Sequence, residues 1–143
     1  MSSDLIEAYR GTRYTVLDAD GIVVAEARID ELAPEVDALL DAHGAASGVF
    51  ITAWNPRSEP TDDAVNAEAH ARLVTHFEET GHVVMPHAGV GQDATWAPEH
   101  GLFVLDLSED DATEVAASYG QNAVVTIQRG HPAALVLTGI MSS

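Results

Sequence analysis

Cysteine and lysine are both absent from this chain of 143 residues. Without Cys there is no disulfide, no thiolate metal ligand and no thiol nucleophile. Without Lys there is no Schiff-base amine and no P-loop. The basic side chains are six in number, all Arg, against 23 acidic ones, for a formal net charge of −17. Such a balance leaves no basic stripe to neutralise phosphates, which disfavours direct nucleic-acid binding and docking on anionic membrane. No stretch approaches the roughly 18 consecutive apolar residues of a membrane span. The opening Met1-Ser2-Ser3-Asp4 has neither the basic region nor the apolar region of a signal peptide. A cytoplasmic location is expected.

What is present suffices for a core. Apolar residues make up 46% of the chain, and the length fits one domain spanning residues 1–143. The acid excess favours solubility but works against compactness, and salt screens that repulsion. Many acids with no Lys and abundant Ala and Val point to a salt-adapted or GC-rich host. An acidic mimic of nucleic acid that inhibits a DNA-binding partner is the alternative source of such a charge. A mimic should line its acids along one face, whereas Asp18, Asp20, Asp62, Asp63, Glu78, Glu79, Asp110 and Asp111 fall at turns and helix ends along the chain.

Tyr9 to Leu17 reads as a strand, Asp18-Ala19-Asp20-Gly21 as a hairpin turn, and Ile22 to Ile29 as the returning strand. Pro34 suits the first turn of a helix, and Val36, Leu39, Leu40 and His43 follow with helical spacing until Gly44. Gly48 to Trp54 is nearly continuously apolar, as in a strand covered on both faces. Pro56 is expected to hold Asn55 extended, with loop from Asn55 to Pro60. Thr61 or Asp62 can cap a second helix that runs to about Thr80 and stops at Gly81. On it Asn66, His70, Leu73 and Phe77 share a face, which turns Asn66 inward. His82 to Pro86 reads as a short strand, and His87 to His100 as a 14-residue loop. Gly101 to Leu107 is a further strand. Ser108 with Asp111 resembles a capping box, opening a third helix closed by Gly120. Asn122 to Gln128 and Ala133 to Thr138 are the last strands. The order ββαβαββαββ indicates an α+β fold: a mixed sheet of six or seven strands with three packed helices.

His82 and His87 fall on opposite faces of a strand, and His70 and His76 splay about a helix. Neither has metal-ligand spacing, so no metal and no cofactor is expected. There is no Gly-x-Ser-x-Gly elbow. Gly89-Val90-Gly91 is too short for a dinucleotide fingerprint and reads as flexible loop. Glu99 and Asp106 are the acids beside apolar segments without an evident capping role, and Asp106 marks a strand end. Glu99 follows Trp96-Ala97-Pro98 and is the candidate general acid or base. The remaining signal is uncharged. Thr52, Trp54, Asn55, Ser58, Asn66, Gln121 and Asn122 all adjoin apolar strands. A buried amide without partners costs about 1–3 kcal/mol. Such groups either brace loop backbone or read the edge of a small polar molecule, with Trp96 or Trp54 as a stacking platform.

Phe50-Ile51-Thr52-Ala53-Trp54-Asn55-Pro56-x-Ser58 resembles the signature of a bacterial family known as domain of unknown function 3293. Asn66 and Leu73 in the next helix, Trp96-x-Pro98-Glu99 in a Gly-rich loop and Gly120-Gln121-Asn122-Ala123 before a strand continue the likeness in order. Where that family carries an Arg-rich helix and loop, this chain has only Arg57 and Arg72 nearby. The resemblance implies a small cytoplasmic bacterial protein and supplies no mechanism.

The preferred reading is a small-molecule-binding domain, with an enzyme left open. Its candidate site is Asn55, Arg57, Ser58, Asn66, Trp96, Gln121 and Asn122 for binding, with Glu99 for proton transfer and Arg57 to pair with an anionic group. The site requires the end of the third strand to meet the start of the sixth. A protein-interaction module without a small ligand is the alternative, and homo-oligomerisation stays open.

Overall fold

The computed structural model describes residues 3–92 and 97–139, the side chains of 3 and 4 excepted. The elements are α1 (Ser3–Arg10), β1 (Arg13–Leu17), β2 (Val23–Ala27), α2 (Pro34–Ala42), β3 (Ser47–Thr52), a 3-10 turn (Pro56–Ser58), α3 (Asp63–Thr80), β4 (Val84–Val90), β5 (Glu99–Leu105), α4 (Glu109–Ser118), β6 (Ala123–Gln128) and β7 (Ala134–Leu137). The strands form one sheet in the order β2-β1-β4-β5-β3-β6-β7. All six ladders are antiparallel. The expected mixture of pairings reduces to one isolated parallel bridge, Ile29 with Ala133. That bridge joins the segment after β2 to the segment before β7, so the two ends of the sheet curl toward each other. Asp30 N–H donates to Ala133 O at 2.8 Å and Ala133 N–H to Glu31 O at 3.0 Å to hold the junction. Among the described residues no helix is long and apolar enough to cross a membrane.

The alternation of side chains along a strand divides the core in two. Val49, Ile51, Leu102, Val104 and Val124 pack against Leu73 and Phe77 of α3 and Ala112 and Ala116 of α4. Phe50, Phe103, Leu105, Val125 and Ile127 face the other way, against Val36 and Leu40 of α2, with Tyr9 of α1 packed alongside. β3 is therefore covered on both faces, which accounts for its unbroken apolar run.

The local signals act where the chemistry places them. Asp18 Oδ1 accepts from the N–H groups of Asp20 and Ile22, both at 2.9 Å, to close the hairpin. Asp62 Oδ1 accepts from Ala64 N–H at 2.8 Å to cap α3, and Ser108 Oγ from Asp111 N–H at 3.1 Å to cap α4. Gly81, left-handed at φ 80°, ends α3.

Four expectations are corrected. Tyr9 belongs to helix α1 and β1 begins only at Arg13. The segment expected as loop from His87 begins inside β4, which runs to Val90 and takes in Gly89. β5 starts at Glu99, so Ala88 pairs with His100 and His87 with Gly101. Asp106 does carry a capping role: its Oδ1 accepts from Ala46 N–H at 3.0 Å and Ser47 N–H at 3.2 Å. Asn55 is left-handed (φ 45°, ψ 66°), not extended. A following proline disfavours the right-handed helical region, and Asn tolerates the left-handed one when its side chain is held locally.

Candidate functional site

β3 pairs with β6, Phe50 opposite Val125. This places the end of β3 beside the start of β6, as the site requires. Gln121 Nε2 crosses the gap to donate to Trp54 O at 3.1 Å. Asn55 and Asn66 form a reciprocal pair. Asn55 N–H donates to Asn66 Oδ1 at 2.9 Å, and Asn66 Nδ2 donates to Asn55 Oδ1 at 2.8 Å. Asn66 Nδ2 also reaches Thr61 O at 3.2 Å, and Thr61 N–H reaches Asn55 Oδ1 at 3.1 Å. Asn66 is 1% exposed, and its amide organises the whole turn after β3. From that turn Asn55 Nδ2 donates to Glu99 Oε2 at 3.2 Å, which orients the carboxylate.

The turn is strained. Asn55, Arg57 and Ser58 all have positive φ (45°, 60° and 60°). A non-glycine residue there costs on the order of 1 kcal/mol and needs its surroundings to hold it. Arg57 N–H donates to Gly120 O at 2.8 Å, tying the turn to the end of α4. Asn122 Nδ2 donates to Ser58 Oγ at 3.2 Å. Asn122 Oδ1 is buried and has no partner among the described residues.

Ser58, Glu99 and Gln121 open onto a cavity of about 460 Å³. Its floor is the α2-side face of the sheet, with Tyr14, Phe50 and His87 as aromatic wall, and Leu5, Ala8 and Tyr9 of α1 border it. The His87 ring stacks on Tyr14 at a centroid distance of 6.0 Å and tilts against Phe50 at 4.8 Å. It fits because Gly101 lies across the ladder: a Cβ there would run into Ile51 O and stand 2.9 Å from His87 Cδ2. His87 Nδ1 lies 3.0 Å from Thr15 O. A carbonyl only accepts, so Nδ1 carries the proton and Nε2 keeps a lone pair. Burial pushes the imidazole pKa down to about 4, so the ring is neutral at pH 7. Burial also raises the pKa of Tyr9 and Tyr14, with Glu99 contributing in both, so both phenols keep their protons.

The expected residues thus separate. Ser58, Glu99 and Gln121 line the cavity. Asn55, Asn66 and Asn122 stand behind them as hydrogen-bonded support. Arg57 is exposed and does not line the cavity, so its assigned pairing with a bound anion lacks a geometric basis. Trp54 packs on the other side of the sheet, edge-on to His100 at 5.2 Å and His70 at 6.5 Å. It is therefore no platform for this cavity. Trp96 lies outside the described residues. Sequence reasoning missed Tyr9, Tyr14 and His87. The available signal was Tyr14 and His87 sitting next to apolar strand residues, obscured by placing His87 in a loop. Among the described residues no three His, Asp or Glu side chains are grouped so as to hold a metal ion.

The sequence pattern described as "Protein of unknown function (DUF3293)" matches residues 51–124, half of the chain. The chain belongs to this family. The matched segment runs from β3 into β6 and contains the strained turn, Asn66, Glu99, Gln121 and Asn122. α1 and β1, which supply Tyr9 and Tyr14, lie outside it. No curated protein and no solved structure matches the chain.

Proposed function

We propose that the protein binds a small organic molecule in the cavity between the sheet and α1. The observation that carries this reading is the cavity itself: about 460 Å³, mostly apolar, with Glu99, Gln121 and Ser58 on its wall. Small-molecule sites commonly occupy about 300–1,000 Å³ and combine an apolar lining with a few placed polar groups. The backbone strain at Asn55, Arg57 and Ser58 adds support, since strained backbone gathers at ligand sites. The Asn pair and Asn122 serve as supports that fix Glu99 and Ser58 in place. For a proton-transfer reaction the groups at hand are Glu99 and the lone-pair nitrogen of His87.

A screen of small polar aromatics, read by two-dimensional amide spectra, tests the proposal. Binders should shift the amides of Gly89, Gly101 and Ala123, and Ala123→Leu, which adds bulk at the cavity wall, should abolish the shifts while the fold persists. Shifts that survive Ala123→Leu, or no shifts at these amides from any compound, overturn it.

A second reading, an interaction module, is favoured by one feature. Ile22, Val23 and Leu32 are 61%, 52% and 64% exposed, and β2 is an edge strand of the sheet. Apolar exposure at an edge is a template for pairing with another chain. Concentration-dependent sedimentation of wild type against Val23→Lys tests it: equal sedimentation coefficients at all concentrations remove self-pairing through this edge.

A further inference from the structure

Five polar side chains of the cavity share a property that their identities do not reveal: each commits a proton to a backbone carbonyl. Tyr14 Oη donates to Tyr9 O at 3.1 Å. Thr12 Oγ1 donates to Ala8 O at 2.7 Å, and Thr52 Oγ1 to His100 O at 2.6 Å. His87 Nδ1–H is committed to Thr15 O, and Gln121 Nε2 to Trp54 O. All five residues line the cavity. With those donors committed, each retains acceptor capacity: oxygen lone pairs on Tyr14 and Thr12, one on Thr52 beside the one that accepts from Trp54 N–H at 2.9 Å, Nε2 of His87 and Oε1 of Gln121. The side-chain donors left over among the described lining residues are the second N–H of Gln121, the amide of Gln92 and one proton of the Tyr9–Ser58 hydroxyl pair, whose oxygens lie 3.5 Å apart. Glu99, which contributes only acceptors when ionised, is the sole residue of formal charge among the described lining residues. Among the described lining residues nothing offers a positive charge, since His87 is neutral and no Arg takes part.

From this we infer that the cavity takes a primary amine in its protonated form, carried on an aromatic or aliphatic body. The ammonium offers three N–H donors to a wall of acceptors and sits against the Glu99 carboxylate. The body lies against Tyr14, Phe50 and His87, whose π-faces also attract a cation. Asn55 Nδ2 on Glu99 Oε2 fixes the carboxylate in advance, which lowers the cost of ordering it on binding. An anionic ligand would meet the Glu99 carboxylate and a wall with more acceptors than donors, and is disfavoured.

This inference rests on the small-molecule reading above, and three probes on one scaffold separate the two. They are tryptamine, tryptophol and indole-3-acetate, cationic, neutral and anionic, titrated into the full chain and read at the Gly89 and Gly101 amides. Tryptamine should bind about tenfold tighter than tryptophol, and indole-3-acetate weakest. Because a chain of net charge −17 attracts any cation, the titration is repeated near 0.5 M NaCl, where the Debye length is about 4 Å. The preference should persist there, should vanish in Glu99→Gln, and should survive Glu114→Gln on the exposed face of α4. Tryptophol or indole-3-acetate binding as tightly as tryptamine, or a preference that disappears with salt in wild type, overturns the amine assignment and leaves the cavity reading standing. Absence of shifts at these amides with all three probes overturns both. The salt comparison in wild type decides the matter even if Glu99→Gln fails to fold.

Discussion

Consecutive residues of β3 face two different interiors. Val49 and Ile51 meet α3, a helix of 18 residues, and α4, one of 10, and that side of the sheet is filled. Phe50 between them faces α2 and α1, of 9 and 8 residues, and on that side about 460 Å³ stays open. The strands are the same and the alternation is the same. What differs is how much helix is available to cover each face. Protein interiors pack close to crystal density, and empty volume in them is destabilising. A face left unfilled, and lined with polar groups among its apolar ones, has given up stability that the α3 side keeps. This asymmetry is the physical basis for placing function on the α1 side.

Titration should break the comparison most visibly, because the cavity side holds the buried His87. Its folded pKa of about 4 lies below the unfolded value of 6.5. The unfolded chain therefore binds the proton first, and stability present above pH 6.5 is lost as pH falls toward 4. Two and a half pKa steps correspond to about 3 kcal/mol. Denaturant unfolding of wild type and His87→Phe, at neutral pH and near pH 4, should show wild type losing about that much more. His70 on α3, its pKa lowered by burial and by His100 nearby, acts in the same direction. Parallel losses in the two proteins would refute the role of His87.

The amide pair ranks next. Asn66→Ala removes hydrogen bonds to Asn55 and Thr61 and leaves half-buried backbone groups without their partner, at about 2–3 kcal/mol. Gln121→Ala removes one hydrogen bond, to Trp54 O, and should cost about 1 kcal/mol. Equal melting shifts for the two would mean that the supporting and cavity-lining amides do not differ.

The most direct contrast is one substitution made on each side. Ala116→Leu inserts bulk into the filled α4 contact and should destabilise by about 1–3 kcal/mol. Ala123→Leu points the same bulk at the cavity and should change stability by less than about 1 kcal/mol, in either direction. Similar losses would mean that the cavity is not free volume. Smallest of all, Arg57→Gly relieves the positive φ at an exposed position and should raise stability by up to about 1 kcal/mol. Probe binding should be unchanged, since Arg57 does not line the cavity.

Particular residues show which parts were legible in advance. Asp62, Ser108 and Gly81 act locally, and each ends or begins its helix where the sequence suggested. Asn66 was readable as inward-facing because it shares a helix face with Leu73 and Phe77. α1 was not readable. At 8 residues it is too short to be stable alone, and its Tyr9 packs against a core cluster that includes Phe50 and Phe103, residues distant in sequence. The extension of β4 through His87 and Gly89 was equally hidden. Two glycines and a proline argue locally for loop, and only pairing with β1 on one side and β5 on the other outweighs them.

By itself, then, the sequence determined the α+β class, the charge and the polar set around the Asn-Pro-x-Ser turn, because these follow from composition, period and short-range capping, while the family was carried by the resemblance of its motifs. Only the tertiary structure decided that β3 lies beside β6, that Glu99 faces inward while Arg57 faces out, and that His87 and two tyrosines share a cavity with them. Those outcomes depend on strand order and on the volume two short helices leave unfilled, and both are set by contacts between residues far apart along the chain.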